Sequence, residues 1–356
     1  MKPSAEKLIR PDILGMPAYK VADATGLIKL DAMENPFRLP EDLRLALGQR
    51  LADAAINRYP DPASSELKRL LAESFAIPPQ AEVLLGNGSD EIITLVTQAL
   101  ARSGAKVMAF EPSFVMYRLN AQFSRVEYIG LSLNADFSLN LSATLAAIQT
   151  HQPAVIFLSY PNNPTGNRFT RSDVEAILDA APGLVVVDEA YQAFASDSLM
   201  DLAGKVENLL VMRTLSKLGM AGIRLGFAAS TPGWIEAINK VRPPYNINVL
   251  TQEAAAFLLQ HRAVFDQQAQ LLLAERSRLS QRLQAFAALQ QFASEANFIT
   301  VRVPDADGLF AFLKQSGILI KNLHGSHPLL NQCLRFTIGS PEENDAVLAA
   351  LTAYFN

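Results

Sequence analysis

The chain has 356 residues, 49% of them hydrophobic, with a formal charge of -4 and a pI near 5.7. That apolar content excludes a disordered or fibrous chain and is enough for one large domain and a smaller one. The 31 Lys and Arg form no polybasic block, Cys333 is the only cysteine, and the four histidines lack metal-ligand spacing. Nucleic acid, a membrane, disulfides and a metal site are therefore not expected.

The stretch from Met1 to Arg10 is charged and lacks the apolar core of an export signal, and no apolar run approaches membrane length, so a soluble cytoplasmic protein is expected. Residues 1–38 are rich in turn formers, Gly15, Pro17 and Pro36 among them, and predict an extended arm. From Glu41 to Ala55 the pattern is helical, with Leu43, Leu47 and Leu51 on one face. The loop Arg58-Tyr59-Pro60-Asp61-Pro62 then precedes a second helix whose cap is Ser64 or Ser65.

Seven short apolar runs follow, alternating with helical stretches: 83–85, 106–110, 126–129, 154–158, 184–187, 209–212 and 226–229. They predict an α/β fold with a mostly parallel seven-stranded sheet. Two prolines, Pro243 and Pro244, interrupt regular structure. Beyond them a long helical pattern runs from about Val249 to Phe286 with room for a kink. Strand-like pieces at 298–301, 318–320 and 333–338 and a closing helix from Glu342 make a smaller α+β unit. The expected division is an arm at 1–38, a large domain at 39–245 and a small domain at 246–356.

Four segments point to chemistry. The run Leu184-Val185-Val186-Val187-Asp188 reads as a buried parallel strand that carries its acid to the carboxyl edge of the sheet, where ligands of open α/β sheets bind. Tyr191 lies three residues beyond. About thirty residues downstream, Arg213-Thr214-Leu215-Ser216-Lys217 leads into a glycine-rich segment ending at Gly226. Alone, such a lysine is a solvated loop cation. Paired with a strand-end acid, it can form a Schiff base while the acid holds a pyridinium nitrogen protonated, the two groups that pyridoxal phosphate needs from a protein.

The loop Gly86-Asn87-Gly88-Ser89-Asp90-Glu91 joins a strand to a helix, so its free amides suit a phosphate, although a plain turn looks similar. It is no dinucleotide fingerprint, because Glu91 stands at the third glycine position. The loop Tyr160 to Gly166, with Asn162 and Asn163 between prolines, is a rigid turn able to aim an amide donor. Phe114 sits just past another strand end, where an aromatic stacks on a flat ring or simply fills the rim. Arg335, on an alternating strand, is either a salt-bridged surface group or a fork for a carboxylate or phosphate. A P-loop ATPase is excluded: the only Gly-Lys pair, Gly204-Lys205, is followed by Val206 and has no glycine five residues before it.

Taken in order, Glu34 to Phe37, Asn57 to Pro60, Gly86 to Glu91, Asn162 to Gly166, Val187 to Tyr191, Thr214 to Lys217, Ala221 to Gly226 and Leu334 to Gly339 resemble the fold-type-I pyridoxal phosphate enzymes of the aspartate aminotransferase superfamily. Within it they are most similar to the branch that acts on histidinol phosphate. The resemblance covers nearly the whole chain. It implies that Lys217 carries pyridoxal 5'-phosphate, that Asp188 pairs with the ring nitrogen, that Asn163 and Tyr191 contact the phenolic oxygen, and that Phe114 stacks on the ring. Ser89, Asp90, Thr214, Ser216 and Arg224 would hold the phosphate, and Tyr59 would reach the phosphate of a neighbouring subunit in a homodimer. Tyr19, Asn297, Arg335 and Lys321 would face substrate.

The implied reaction passes an amino group between histidinol phosphate and 2-oxoglutarate, a late step of histidine biosynthesis. An aromatic amino acid aminotransferase or a phosphothreonine-type decarboxylase would use the same catalytic set. A transcription regulator on this scaffold would need a DNA-binding helix pair, for which the arm is too short. Two departures stand out: Lys321 occupies a position where many relatives have arginine, and the interval from Lys217 to Arg224 is one residue shorter than in many of them.

Overall fold

In a computed structural model the described residues are 4–18 and 20–356. Twelve strands occur among them: β1 (Ile28–Leu30), β2 (Glu82–Asn87), β3 (Lys106–Glu111), β4 (Glu127–Ser132), β5 (Val155–Ser159), β6 (Leu184–Asp188), β7 (Leu209–Thr214), β8 (Leu225–Ser230), β9 (Gln290–Gln291), β10 (Phe298–Arg302), β11 (Ile318–Asn322) and β12 (Cys333–Thr337). Each of the seven expected runs forms a strand of one sheet, ordered β2-β8-β7-β6-β5-β3-β4. Only β8 runs against its neighbours, which makes the sheet mostly parallel.

The central strands read as unbroken apolar runs because both faces of the sheet are covered. Alternate residues serve different cores. Ile156, Leu158, Val185, Val187, Leu209 and Val211 pack on one face, while Val155, Phe157, Leu184, Val186, Leu210 and Met212 pack on the other. All five residues of β5 and all five of β6 are buried, which leaves their carboxyl ends, Ser159 and Asp188, beside each other in register.

The second sheet has the order β1-β11-β12-β10-β9. Its core includes Phe298, Ile299, Leu309, Ile320, Leu334, Phe336 and Leu351, with the helices Ala306–Gln315 and Pro341–Phe355 contributing to it. The closing helix begins at Pro341 in a reciprocal cap: Glu343 N donates to Ser340 Oγ at 3.2 Å and Ser340 N to Glu343 Oε2 at 2.8 Å.

Several local expectations need correction. The amino-terminal stretch is not simply extended: it has short helices at Ala5–Leu8 and Pro11–Leu14, and β1 joins the small sheet parallel to β11. A three-residue edge strand whose partner lies some 290 positions away leaves no local pattern to read. The long helical pattern is two helices, Val249–Gln260 and Arg262–Leu283, divided at His261, whose Nδ1 lies 2.9 Å from the Phe257 carbonyl. The helix at Ser65–Ser74 has Ser64 at its N-cap position as expected, but in the left-handed region and with no side-chain cap bond. Asp61 takes that role, accepting from the backbone N–H of Ala63 and Ser65 at 3.0 and 2.9 Å.

Candidate active site

The carboxyl ends of β5, β6 and β7 and the start of the helix Gly88–Leu100 surround one cavity. Its lining includes Ser89, Asp90, Phe114, Asn163, Asp188, Tyr191, Thr214, Ser216, Lys217 and Arg224, all ten of them expected from sequence. Met33, Ser159 and Ala190 complete it.

At one side lies a cup of donors. The helix begins at Gly88, so Ser89 and Asp90 belong to its first turn, where backbone N–H groups have no intrahelical partner. Glu91 Oε2 accepts from Asn87 N and Asn246 Nδ2, both at 2.7 Å, and fixes the turn. The Thr214 hydroxyl donates to Ser216 Oγ at 2.9 Å. Lys217 sits in a π-type turn, Ser216–Met220, and a short 3-10 turn follows. These two turns fill the short interval and bring Arg224, in the left-handed region at φ 52°, back beside Ser216 Oγ at 3.5 Å and Asp90 Oδ2 at 3.4 Å. Gly226 is required here: a Cβ would stand 2.6 Å from Gly88 C and Ser89 N, both backbone atoms that cannot step aside.

Asp188 is buried deep in the cavity. Its Oδ1 accepts from Ala190 N at 3.1 Å and its Oδ2 from the Tyr117 hydroxyl at 2.7 Å. Burial pushes this carboxyl up to about 6, and the Tyr117 hydrogen bond opposes the shift. Lys217 donates from Nζ to the Ala32 carbonyl at 2.9 Å. Burial lowers its ammonium from 10.5 to about 8, and the positive charge of Arg335 adds to the shift. An amine held at that value has a substantial neutral fraction near neutrality, which a nucleophile or general base requires.

The small sheet supplies the far wall. Arg335 on β12 is buried, donates from Nη1 to Asn163 Oδ1 and from Nη2 to the Asp31 carbonyl at 2.8 Å, and lies 5.1 Å over the Phe298 ring. With its oxygen engaged by Arg335, Asn163 has its amide N–H groups available to donate. Asn297 donates to the Met33 carbonyl at 3.0 Å, and its Oδ1 is buried with no hydrogen-bond partner among the described residues. Tyr191 is buried with its ring edge-on to Phe298 at 5.2 Å.

Three expected residues lie elsewhere. Tyr59 is 80% exposed and stacks on Tyr245 at 4.5 Å, away from the cavity of its own chain. Lys321 pairs in register with Arg335 across β11 and β12, so it shares that face of the sheet, but it is exposed and outside the cavity lining. Tyr19 falls outside the described residues.

Sequence reasoning missed Tyr117, Ser159, Met33 and the carbonyls of residues 31–33. Tyr117 lies three positions after Phe114, one helical turn on, and that spacing was its only signal.

Among the described residues no helix is long and apolar enough to cross a membrane, and no cluster of three or more His, Cys, Asp or Glu could hold a metal.

Residues 25–351 match the family described as aminotransferase class I and II, and the chain belongs to that family. It is 63% identical, over the full length of both chains, to a histidinol-phosphate aminotransferase of Chromobacterium violaceum. It is 54% identical to histidinol-phosphate aminotransferase 2 of Cupriavidus pinatubonensis over 98% of this chain and 96% of that one. Among solved structures, the histidinol-phosphate aminotransferase of Sinorhizobium meliloti in complex with pyridoxal-5'-phosphate superposes with a TM-score of 0.87, covering 99% of this chain and 98% of that one at 24% identity.

Pyridoxal 5'-phosphate is the cofactor, and the residues present fit it. A lysine with a lowered pKa, a buried acid and a cup of first-turn donors whose backbone a Cβ at Gly226 would displace all line one cavity.

Proposed function

We propose that the chain transfers an amino group between histidinol phosphate and 2-oxoglutarate, working in the biosynthetic direction as imidazole-acetol phosphate plus glutamate. The observation that carries the substrate assignment is the 63% identity, end to end, to a protein named for that activity. The convergence of Lys217, Asp188 and the donor cup on one cavity supports the reaction type.

Bound pyridoxal phosphate supplies an electron sink conjugated to an imine carbon. The chain does the rest. Lys217 would anchor the group, and its amine, with a pKa low enough to act as a base, would be the residue that moves the substrate carbon's proton. Asp188 holds a proton at the ring nitrogen, which keeps the ring able to accept an electron pair. Asn163 and Tyr191 would donate to the phenolic oxygen, and Phe114 would cover a ring face and exclude water. The first-turn amides at Ser89 and Asp90, with Thr214, Ser216 and Arg224, take the phosphate. Arg335 receives the glutamate carboxylate or the substrate phosphate through its planar fork. Asn297, Tyr19 and Lys321 complete the substrate side. Lys321 acts there as an outer point charge, in keeping with its exposure.

Tyr59, exposed and held by Tyr245, is placed in this reading to enter the site of a second copy, so the active form is a homodimer. The large domain is 39–245 and the small one 246–356, with 1–38 serving both, and the protein works in the cytoplasm.

A turnover panel tests the assignment. Histidinol phosphate should be strongly preferred over phenylalanine and tyrosine as amino donor to 2-oxoglutarate, with a keto product and no carbon dioxide. Preference for the unphosphorylated amino acids, or carbon dioxide release, would overturn it.

A further inference from the structure

Asp188 has the central task in this reading, and its carboxylate is held by one local donor and one distant one. One oxygen accepts from the backbone at Ala190, and the other accepts from Tyr117, a residue 71 positions away. Tyr117 lies in the helix Met116–Phe123 and is fully buried. Its ring is clamped on two sides, parallel to Phe157 at 4.8 Å and edge-on to Phe114 at 5.7 Å. Those contacts leave the hydroxyl with one direction to point. The Ser159 hydroxyl lies against the same phenolic oxygen, so Ser159, Tyr117 and Asp188 form a short polar chain in an otherwise apolar layer.

The direction of the hydrogen bond follows from the inventory of groups. An ionised carboxylate only accepts, so Tyr117 is the donor. Its phenol stays protonated because burial and the adjacent Asp188 charge push its pKa well above 10. A buried donor aimed at one carboxylate oxygen stabilises the charged form against desolvation and fixes the plane of the group.

We propose that Tyr117 is a positioning residue for Asp188: its hydroxyl holds Oδ2 so that the carboxylate stays ionised and turned toward the cofactor's ring nitrogen. The inference rests on the assignment of Asp188 to that nitrogen. It gives the turn Phe114 to Tyr117 a double duty, with Phe114 lining the cavity where the ring lies and Tyr117 setting the acid at its edge. The other titratable groups acting on Asp188 are Asp90 and Glu189, both of which disfavour its charge. Tyr191 is a further neighbour of Tyr117, and Lys217 shares the cavity. Without the Tyr117 donor, burial and the two acids act unopposed except at Ala190.

The test is Tyr117→Phe in the full-length holoenzyme, which keeps the stacked ring and deletes the hydroxyl. Cofactor binding should become roughly tenfold weaker, the scale of one hydrogen bond to a charged group. The pH midpoint of the cofactor chromophore should move up, because a less protonated ring nitrogen withdraws less charge from the imine. The cofactor-free enzyme should still unfold cooperatively, with only a modest loss of thermal stability from the unpaired Oδ2. In an Asp188→Asn background the same substitution should leave cofactor dissociation nearly unchanged. An unshifted chromophore midpoint in Tyr117→Phe, or an equal loss of affinity in both backgrounds, would overturn the inference. Borohydride reduction and peptide mapping of the wild type separate the two levels. A label away from Lys217 defeats the site assignment itself, whereas a label on Lys217 with a silent Tyr117→Phe defeats only the role of Tyr117.

Discussion

Removing Lys217 should stabilise the cofactor-free protein. Burial, with Arg335 and Arg224 nearby, lowers the folded-state pKa of Lys217 from 10.5 to about 8, while Glu34 and Asp90 pull it back only partly. A base whose folded pKa is depressed costs stability wherever the unfolded chain holds the proton more tightly. The cost is therefore full below about pH 8 and fades as the pH rises from 8 to 10.5. The depression corresponds to about 3 kcal/mol at pH 7. Against this, Lys217→Met forfeits the bond from Nζ to the Ala32 carbonyl, about 1 kcal/mol. The side chain is also only partly buried, which trims the penalty. A net gain of about 2 kcal/mol is expected for cofactor-free Lys217→Met at pH 7, shrinking toward zero or below by pH 10.5. Urea unfolding midpoints of the two cofactor-free proteins at both pH values measure it, because other titrations cancel in the difference. A variant less stable than wild type at pH 7, or a gain that persists undiminished at high pH, would refute the reasoning.

Three further outcomes follow from the same geometry. Arg213→Met should cost about 3–5 kcal/mol by urea midpoint, since it leaves buried Glu189 with only Ser198 Oγ and Leu199 N as donors; adding Glu189→Gln should recover part of the loss, and full additivity would speak against a coupled pair. Gly226→Ala should displace the Gly88 and Ser89 backbone that forms the phosphate cup and release cofactor on dialysis, with a stability loss of about 1–3 kcal/mol, and full retention of cofactor would contradict the close packing against Gly88 and Ser89. Asp188 is raised to about 6, so its ionised fraction, and with it cofactor affinity, should fall as the pH drops below that value; Asp188→Asn should lack this limb and lose turnover far more than affinity, and an unchanged pH profile in the variant would argue against the acid's role.

The large sheet was legible because its strands obey two strong rules at once. Runs such as Val185 to Val187 are short, apolar and β-branched, and a punctuating loop follows each, so pattern and length agree. The same feature pointed to the cavity, since a parallel strand delivers its last residue to the ligand edge of the sheet. Thus Asp188, Asn163, Phe114 and the Thr214 to Lys217 run could be assigned to one place before any coordinates. Tyr117 could not. A tyrosine inside an amphipathic turn reads as core, and it is core: its ring is buried against Phe157, and only the direction of its hydroxyl gives it a second function. Glu189 and Arg213 escaped notice for a related reason, because each sits next to a more conspicuous residue and their pairing spans two strands.

The segment after β1 was the least legible and carries most of the coupling between the two sheets. Asp31, Ala32 and Met33 offer three consecutive carbonyls, which accept from Arg335, Lys217 and Asn297 in that order. Arg335 and Asn297 belong to or adjoin the small sheet, whereas Lys217 belongs to the large one. Met33 pays for this arrangement with a left-handed φ of 54°, a conformation that costs a residue with a Cβ about 1–2 kcal/mol, and its N–H is tied to Thr337 Oγ1 at 3.0 Å. Backbone groups have no residue-type signature, so no sequence pattern announces them. Their effect is nonetheless chemical. They hold the Arg335 guanidinium close enough for its charge to be the second cause of the lowered Lys217 pKa. The basicity of the lysine is therefore set partly by how closely the small sheet approaches, and β1, paired with β11, is the element that fixes that approach.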